Sequence, residues 1–187
     1  MSEPTFKKLA ESELDAAQLK VYRELMAGPR GGVRGPFNAL LRSPVLADRV
    51  QKVGEFLRFE SSIPARLNEF AILITARHWN AQYEWFAHYP HAMKGGLKPE
   101  VAAELAQGKR PANMQEDETI VYDFCTELHK DKAVSDRTLQ AAFAKFGERG
   151  VVDLIGVSGY YTLVSMVLNV DQQPLPAGTP PPLPALK

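Results

Sequence analysis

One cysteine, Cys125, is all the thiol chemistry this 187-residue chain has. A lone thiol forms no intrachain disulfide and no cysteine-based zinc site, and it suits a reducing cytoplasm, the expected location. Neither charge is in excess: Lys plus Arg and Asp plus Glu number 22 each, so nothing favours nucleic acid or an anionic membrane as a partner. Alternating β patterns of useful length and internal repeats are also missing. The opening MSEPTFKKLAESELD is too polar for a secretory signal. Gly28 to Pro36, GPRGGVRGP, lacks the GxxxxGK[ST] spacing of a phosphate loop and follows a helical stretch rather than a strand. It reads as a connection passing over the mouth of a pocket.

What remains is helical. The sequence predicts an all-α, single-domain helical bundle over residues 1–171, followed by a Pro-rich tail at 172–187. Six prolines in QQPLPAGTPPPLPALK preclude helix there and favour an extended chain, disordered or laid against a neighbouring subunit. Residues 1–11 are expected to be poorly ordered, with Ser12 capping a helix through about Met26. Phe37 to Phe59 reads as helix interrupted at Ser43-Pro44, where proline suits a first helical position. Helices are further expected at 64–78, from Ala81 to Gly95, after Pro99, at 116–129 and at 135–146.

Val151 to Val170 contains one charge, Asp153, in twenty residues, long enough to span a bilayer. Its Ser158, Thr162, Ser165 and Asn169, and the lack of flanking basic clusters, argue for a buried helix and no membrane. Gly156, Gly159, Thr162 and Ser165 form a series of small residues at which another helix, from the same chain or a second subunit, could approach.

The rest is organised around Arg66 to Leu97, RLNEFAILITARHWNAQYEWFAHYPHAMKGGL. Phe70 to Ala76 is apolar on nearly every helical face, the mark of a helix buried all round, and Glu69 stands at its leading end. Asn80 suits an N-cap, which sets a turn near Trp79 and starts a second helix at Ala81. Glu84 and His88 then share a face as i and i+4 neighbours. Glu69 lies roughly ten residues before the turn and His88 roughly eight after it, so at about 1.5 Å of rise per residue an antiparallel pair brings them level. Two carboxylates and an imidazole can converge in one apolar pocket, with Trp85 and then Tyr83 on its wall. Burying two carboxylates side by side favours protonation of one of them, and an imidazole can accept or return a proton.

The pattern of Glu69 opening an apolar helix, Glu84 in YEW, then His88 and the closing AMKGGL resembles the carboxymuconolactone decarboxylase family, whose other branch is the AhpD-like alkylhydroperoxidases. The likeness covers about thirty residues. It implies an AhpD-like fold, commonly a homo-oligomer, and a site at Glu69, Glu84 and His88. The CxxC pair of the peroxidase branch would fall at Ala81 and Glu84, where both cysteines are missing. The resemblance therefore implies cofactor-free acid/base chemistry on a small carboxylated lactone or related organic acid, as in decarboxylation of γ-carboxymuconolactone, with isomerase or hydrolase chemistry on a related ring left open. His88 or a protonated Glu84 would deliver the proton, Glu69 would orient them, and Arg66 or Arg77 would meet the substrate carboxylate. Dithiol peroxidase activity lacks its residues.

The same residues also admit a non-catalytic reading, in a binding protein or oligomeric scaffold. Glu69 would pair with Arg66 or Arg77, Glu84 would be a solvated first-turn acid, and His88 a hydrogen-bonded core residue. His78, His88 and His91 with Glu84 are metal-ligand types, but their spacing matches no HExxH arrangement and no metal is expected.

Overall fold

The computed structural model describes residues 4–29 and 31–185. Its centre is the helix α4 (Ala65–His78), in which every residue from Leu67 to Ala76 is buried. Phe70, Ala71, Ile72 and Leu73 have no exposed surface, and each large side chain so buried contributes about 1.5–3 kcal/mol. Such a helix needs cover on all sides. α5 (Gln82–Gly95), α6 (Pro99–Ala106), α7 (Glu116–Asp131) and α8 (Asp136–Asp171) supply it. α1 (Ala16–Ala27), α2 (Phe37–Leu40) and α3 (Pro44–Phe59) close the remaining side against α8, and no strand occurs among the described residues.

The turn between α4 and α5 forms for a different reason than the sequence suggested. Asn80 is not an N-cap; it takes the left-handed conformation, φ 48°, just past the end of α4. Its N–H bonds to the Arg77 carbonyl and that of Ala81 to Ala76, so the last carbonyls of α4 are satisfied as the chain reverses. At the other end of the pair the backbones nearly touch. A Cβ on Gly95 would lie 3.1 Å from the Arg66 Cα, so a larger residue there would have to push the two backbones apart by a few tenths of an ångström. The two helices are thus antiparallel and in close register.

Polar side chains fix the framework from outside. Asp153 of α8 accepts from the Ser62 N–H at 2.8 Å and its hydroxyl at 2.7 Å, which pins the approach to α4. Arg66 binds Asp117 at 2.7 Å and the fully buried Glu118, joining α4 to the first turn of α7. α8 is broken at Gly147, φ 66°, close to the expected boundary near Phe146. By length and composition it is the one described helix able to cross a membrane, yet it lies in the core with Asp153, Ser158 and Ser165 buried. Its small residues do not form one face. Gly156 abuts Leu57 of α3, Gly159 faces open space, and Thr162 accepts from the Trp79 indole at 3.2 Å.

Both chain ends depart from expectation. Residues 1–3 of the stretch predicted to be poorly ordered lie outside the described residues, but the Phe6 N–H bonds to Asp171 at 2.8 Å and the Asn38 amide to the Phe6 carbonyl at 2.7 Å. The tail is extended, as its prolines require, and docks on its own chain. Leu183 is buried and exchanges both of its backbone hydrogen bonds with the Gln82 side chain, each 3.0 Å long. Capping of α1 falls to Asp15 with Gln18 rather than to Ser12.

Candidate active site

Glu69 sits in the second turn of α4, and Glu84 and His88 lie one turn apart on α5. Their side chains meet where the two helices face each other. His88 Nδ1 lies 2.7 Å from Glu69 Oε2, and His88 Nε2 lies 3.0 Å from Glu84 Oε1. All three are buried. Burial alone would push the imidazole pKa down, but hydrogen bonds to Glu69 and Glu84, with their charge, outweigh it and raise His88 to about 9. Two carboxylates, one on each ring nitrogen, are satisfied together only by an imidazolium, which has an N–H for each. At neutral pH His88 is therefore a cation between two acids. Glu84 Oε2 is left over, buried and with no hydrogen-bond partner.

That oxygen belongs to a residue on the wall of a cavity of about 500 Å³, within the range of roughly 300–1,000 Å³ typical of small-molecule sites. Glu84, His88 and Tyr83 line it from α5, Tyr160 and Tyr161 from α8, and Arg58 and Phe59 from the end of α3. The Tyr161 ring stands edge-on to His88, centroids 5.0 Å apart. Its hydroxyl is held protonated, because burial and then the charge of Glu84 raise its pKa well above the ordinary tyrosine value. Gly32, Arg34, Gly35 and Pro36 cover the mouth, so the glycine-rich connection lies where the sequence suggested. Gly35 has φ +57°, and a Cβ there would meet the Tyr83 ring at 3.4 Å.

The other residues singled out in the sequence lie elsewhere. Glu69 stands behind His88 rather than on the cavity wall. Trp85 projects from the opposite side of α5 into a second, apolar cavity of about 440 Å³ with Phe86, Tyr89 and Pro90. A one-residue step along a helix turns the side chain by about 100°, which is why neighbours 84 and 85 separate. Arg66 is consumed by Asp117 and Glu118, and Arg77 reaches the Asn80 side chain at 2.9 Å and the Pro184 carbonyl at 3.3 Å. Neither arginine lines the cavity, and neither pairs with Glu69. Glu84 is buried rather than a solvated first-turn acid.

Arg58, Tyr160 and Tyr161 were not anticipated. Two adjacent tyrosines in an otherwise apolar run were the available signal for the pair on α8. Arg58, flanked by Leu57 and Phe59, carried none.

His78 stacks on His129, centroids 4.9 Å apart, away from the Glu69–His88–Glu84 chain. Burial, then the charges of His78 and Lys132, lower His129 to about 4. Among the described residues no three His, Cys, Asp or Glu side chains are grouped to hold a metal ion. Cys125 is buried beneath Ser158, 3.6 Å from its hydroxyl, and burial pushes its thiol up to about 12.

No protein-family model matches the chain, and no curated protein matches it. Among solved structures it resembles that of an uncharacterized peroxidase-related protein from Silicibacter sp. TM1040, with a TM-score of 0.73, 16% sequence identity and 91% of each chain covered. At that identity the likeness speaks for the fold alone. The chain shares its all-helical fold with that peroxidase-related protein.

Proposed function

We propose that the protein is a cofactor-independent acid/base enzyme acting on a small carboxylated lactone or related organic acid, with Glu84 as its catalytic residue. The observation that carries this reading is the orphan Glu84 Oε2, a buried acceptor with no partner, on a residue lining a cavity of substrate size. A buried polar atom left unpaired costs about 1–3 kcal/mol, a cost repaid when a ligand supplies the missing hydrogen. His88 and Glu69 are positioning residues. The imidazolium grips Glu84 Oε1, sets the rotamer of the carboxyl group and offsets its charge, while Glu69 holds the ring from behind.

Proton exchange at Oε2 serves two related reactions. In decarboxylation, the form favoured by the family resemblance, the electron pair of the breaking C–C bond moves into the conjugated carbonyl, CO2 leaves, and carbon takes a proton that Glu84 has first accepted from solvent water. In isomerisation Glu84 first removes a proton from carbon and later returns it at another position. Both pass through an enolate, to which the Tyr161 hydroxyl, on the cavity wall and held protonated, can donate.

Peroxide reduction is the weaker reading. It needs an accessible thiolate and a resolving thiol, whereas Cys125 is single, buried and held as the thiol. A scaffold role would leave the orphan oxygen unexplained. A homo-oligomer is part of the proposal: Val53 and Phe56 on α3 and Val152 and Ile155 on α8 expose apolar surface on two helices that meet at Leu57 and Gly156. Sedimentation equilibrium tests that part.

For the chemistry, carboxylated lactones and muconates are followed by absorbance and mass, beside a dithiol-dependent hydroperoxide assay. Ring turnover that falls by at least about a hundredfold in Glu84→Gln, the scale of a lost general acid/base, is the expected result. Turnover unchanged in that variant, or peroxide turnover dependent on Cys125, overturns the reading.

A further inference from the structure

A second residue of the cavity lining carries an orphan atom. Arg58 Nε is buried without a hydrogen-bond partner, and its guanidinium lies over the Phe59 ring, 5.2 Å from the centroid. Among the described residues Arg58 has no carboxylate at ion-pair distance, unlike Arg66 and Arg110, which are each paired. A guanidinium stacked on an aromatic ring, with one N–H shut away from water, is preorganised for a planar anion.

Charge on the lining limits what that anion can be. Glu84 and the Glu69 behind it carry two negative charges, which His88 and Arg58 offset. Arg34, exposed on the lining, adds one positive charge, and His91 on the same wall adds none at neutral pH because burial lowers its pKa, so the cavity can neutralise one further negative charge. A second one would stay uncompensated in a poorly solvated space beside Glu84. The walls, with Phe59, Tyr83, Tyr160 and Tyr161, suit a flat conjugated ring.

We propose that Arg58 is the anion anchor of this site, and that its substrate is a planar ring bearing a single carboxylate, which Arg58 holds as a non-reacting handle. The inference rests on the acid/base reading of Glu84 and narrows it. A carboxylate ion-paired to Arg58 is stabilised in the ground state and does not leave as CO2. The reaction is then the proton shift: the C–H electron pair moves into the ring carbonyl as Glu84 Oε2 takes the proton. The same proton returns to the far end of the conjugated system, giving an isomer with no co-reactant.

The test is calorimetric titration of the full chain with three unreactive ring probes: 2-furoate (one charge), 2-furamide (neutral) and 2,5-furandicarboxylate (two charges). Wild-type protein is expected to bind furoate at least about tenfold more tightly than either of the others, the worth of one charged hydrogen bond. Arg58→Gln loses that preference over furamide, and Arg58→Lys keeps part of it. Should Arg58→Gln fail to fold, as its thermal melt would reveal, the wild-type probe series and Arg58→Lys decide. Furamide binding as tightly as furoate, the dicarboxylate binding best, no furoate binding, or an unchanged preference in a folded Arg58→Gln each overturns the proposal. Glu84→Gln separates the two readings: it removes turnover if the acid/base reading holds, and, because it takes a negative charge off the lining, it keeps or tightens furoate binding if the anchor is Arg58.

Discussion

Replacing His88 by glutamine and titrating the remaining histidines tests the electrostatics from which the site reading starts. The folded imidazole has a pKa of about 9 against 6.5 when unperturbed. A folded-state pKa above the unfolded one means the native protein binds the proton more tightly. The resulting stability is fully present below pH 6.5 and is lost as pH rises through 9. A gap of about 2.5 units is worth about 3 kcal/mol at 1.36 kcal/mol per unit. Urea unfolding at pH 6 and pH 10 measures it, because groups remote from the cluster that titrate in that window contribute equally to wild type and His88→Gln and cancel. Wild type is expected to lose about 3 kcal/mol more than the variant over that interval.

Proton NMR supplies the matching observation. Burial lowers His78, His91 and His129 below 6.5, so a single ring resonance should titrate near 9. Glu69→Gln, which removes one of the two carboxylates that raise it, should move that inflection down. All four rings titrating at or below 6.5, or equal pH slopes in the two proteins, would refute the claim that the carboxylates outweigh burial.

Two stability predictions follow from contacts outside the cavity. Asp153→Ala strips the Ser62 N–H and hydroxyl of their acceptor, and chemical unfolding should register a loss of about 2–3 kcal/mol, with a smaller one for Asp153→Asn. Leu183→Ala should cost about 2 kcal/mol and speed proteolysis of the tail; an unchanged cleavage rate would mean that the tail is not held by this side chain.

Much of the framework was legible because it rests on periodicity and punctuation. The all-round apolar run at Phe70 marked the central helix, Pro44 and Pro99 marked helix starts, and the glycines at Gly95-Gly96 and Gly108 marked two of the stops. The meeting of Glu69 with His88 followed from counting rise on either side of one turn. Asn80 was read as a cap rather than a left-handed residue because asparagine serves both purposes, and only backbone dihedrals distinguish them. Arg66 and Arg77 were nominated for closeness in sequence to Glu69. Their partners come from α7 and from the tail, at separations that no local pattern encodes. Arg58 was invisible for the converse reason: it reaches the cavity from α3, and its lack of a partner is a fact about space rather than sequence.

The division of labour in the site follows from where its parts are anchored. Glu69, Glu84 and His88 lie on two helices whose backbones are locked together at both ends, by the Asn80 turn and by the contact of Gly95 with Arg66. Carboxyl and imidazole groups there meet at 2.7 and 3.0 Å, the close placement that proton transfer requires. The groups that would select the substrate stand on the margin: Arg58 at the end of α3, and Arg34 in the glycine-rich connection. On the proposed reading, changes there would alter what enters without disturbing the acid/base pair. On the proposed reading, Glu84 standing where the family resemblance would put a thiol is a change of the opposite kind, since it keeps the helices and replaces the reacting atom. A fold shared at 16% identity does not carry a reaction with it, and in the function proposed for this chain Glu84 Oε2 is the atom on which the chemistry turns.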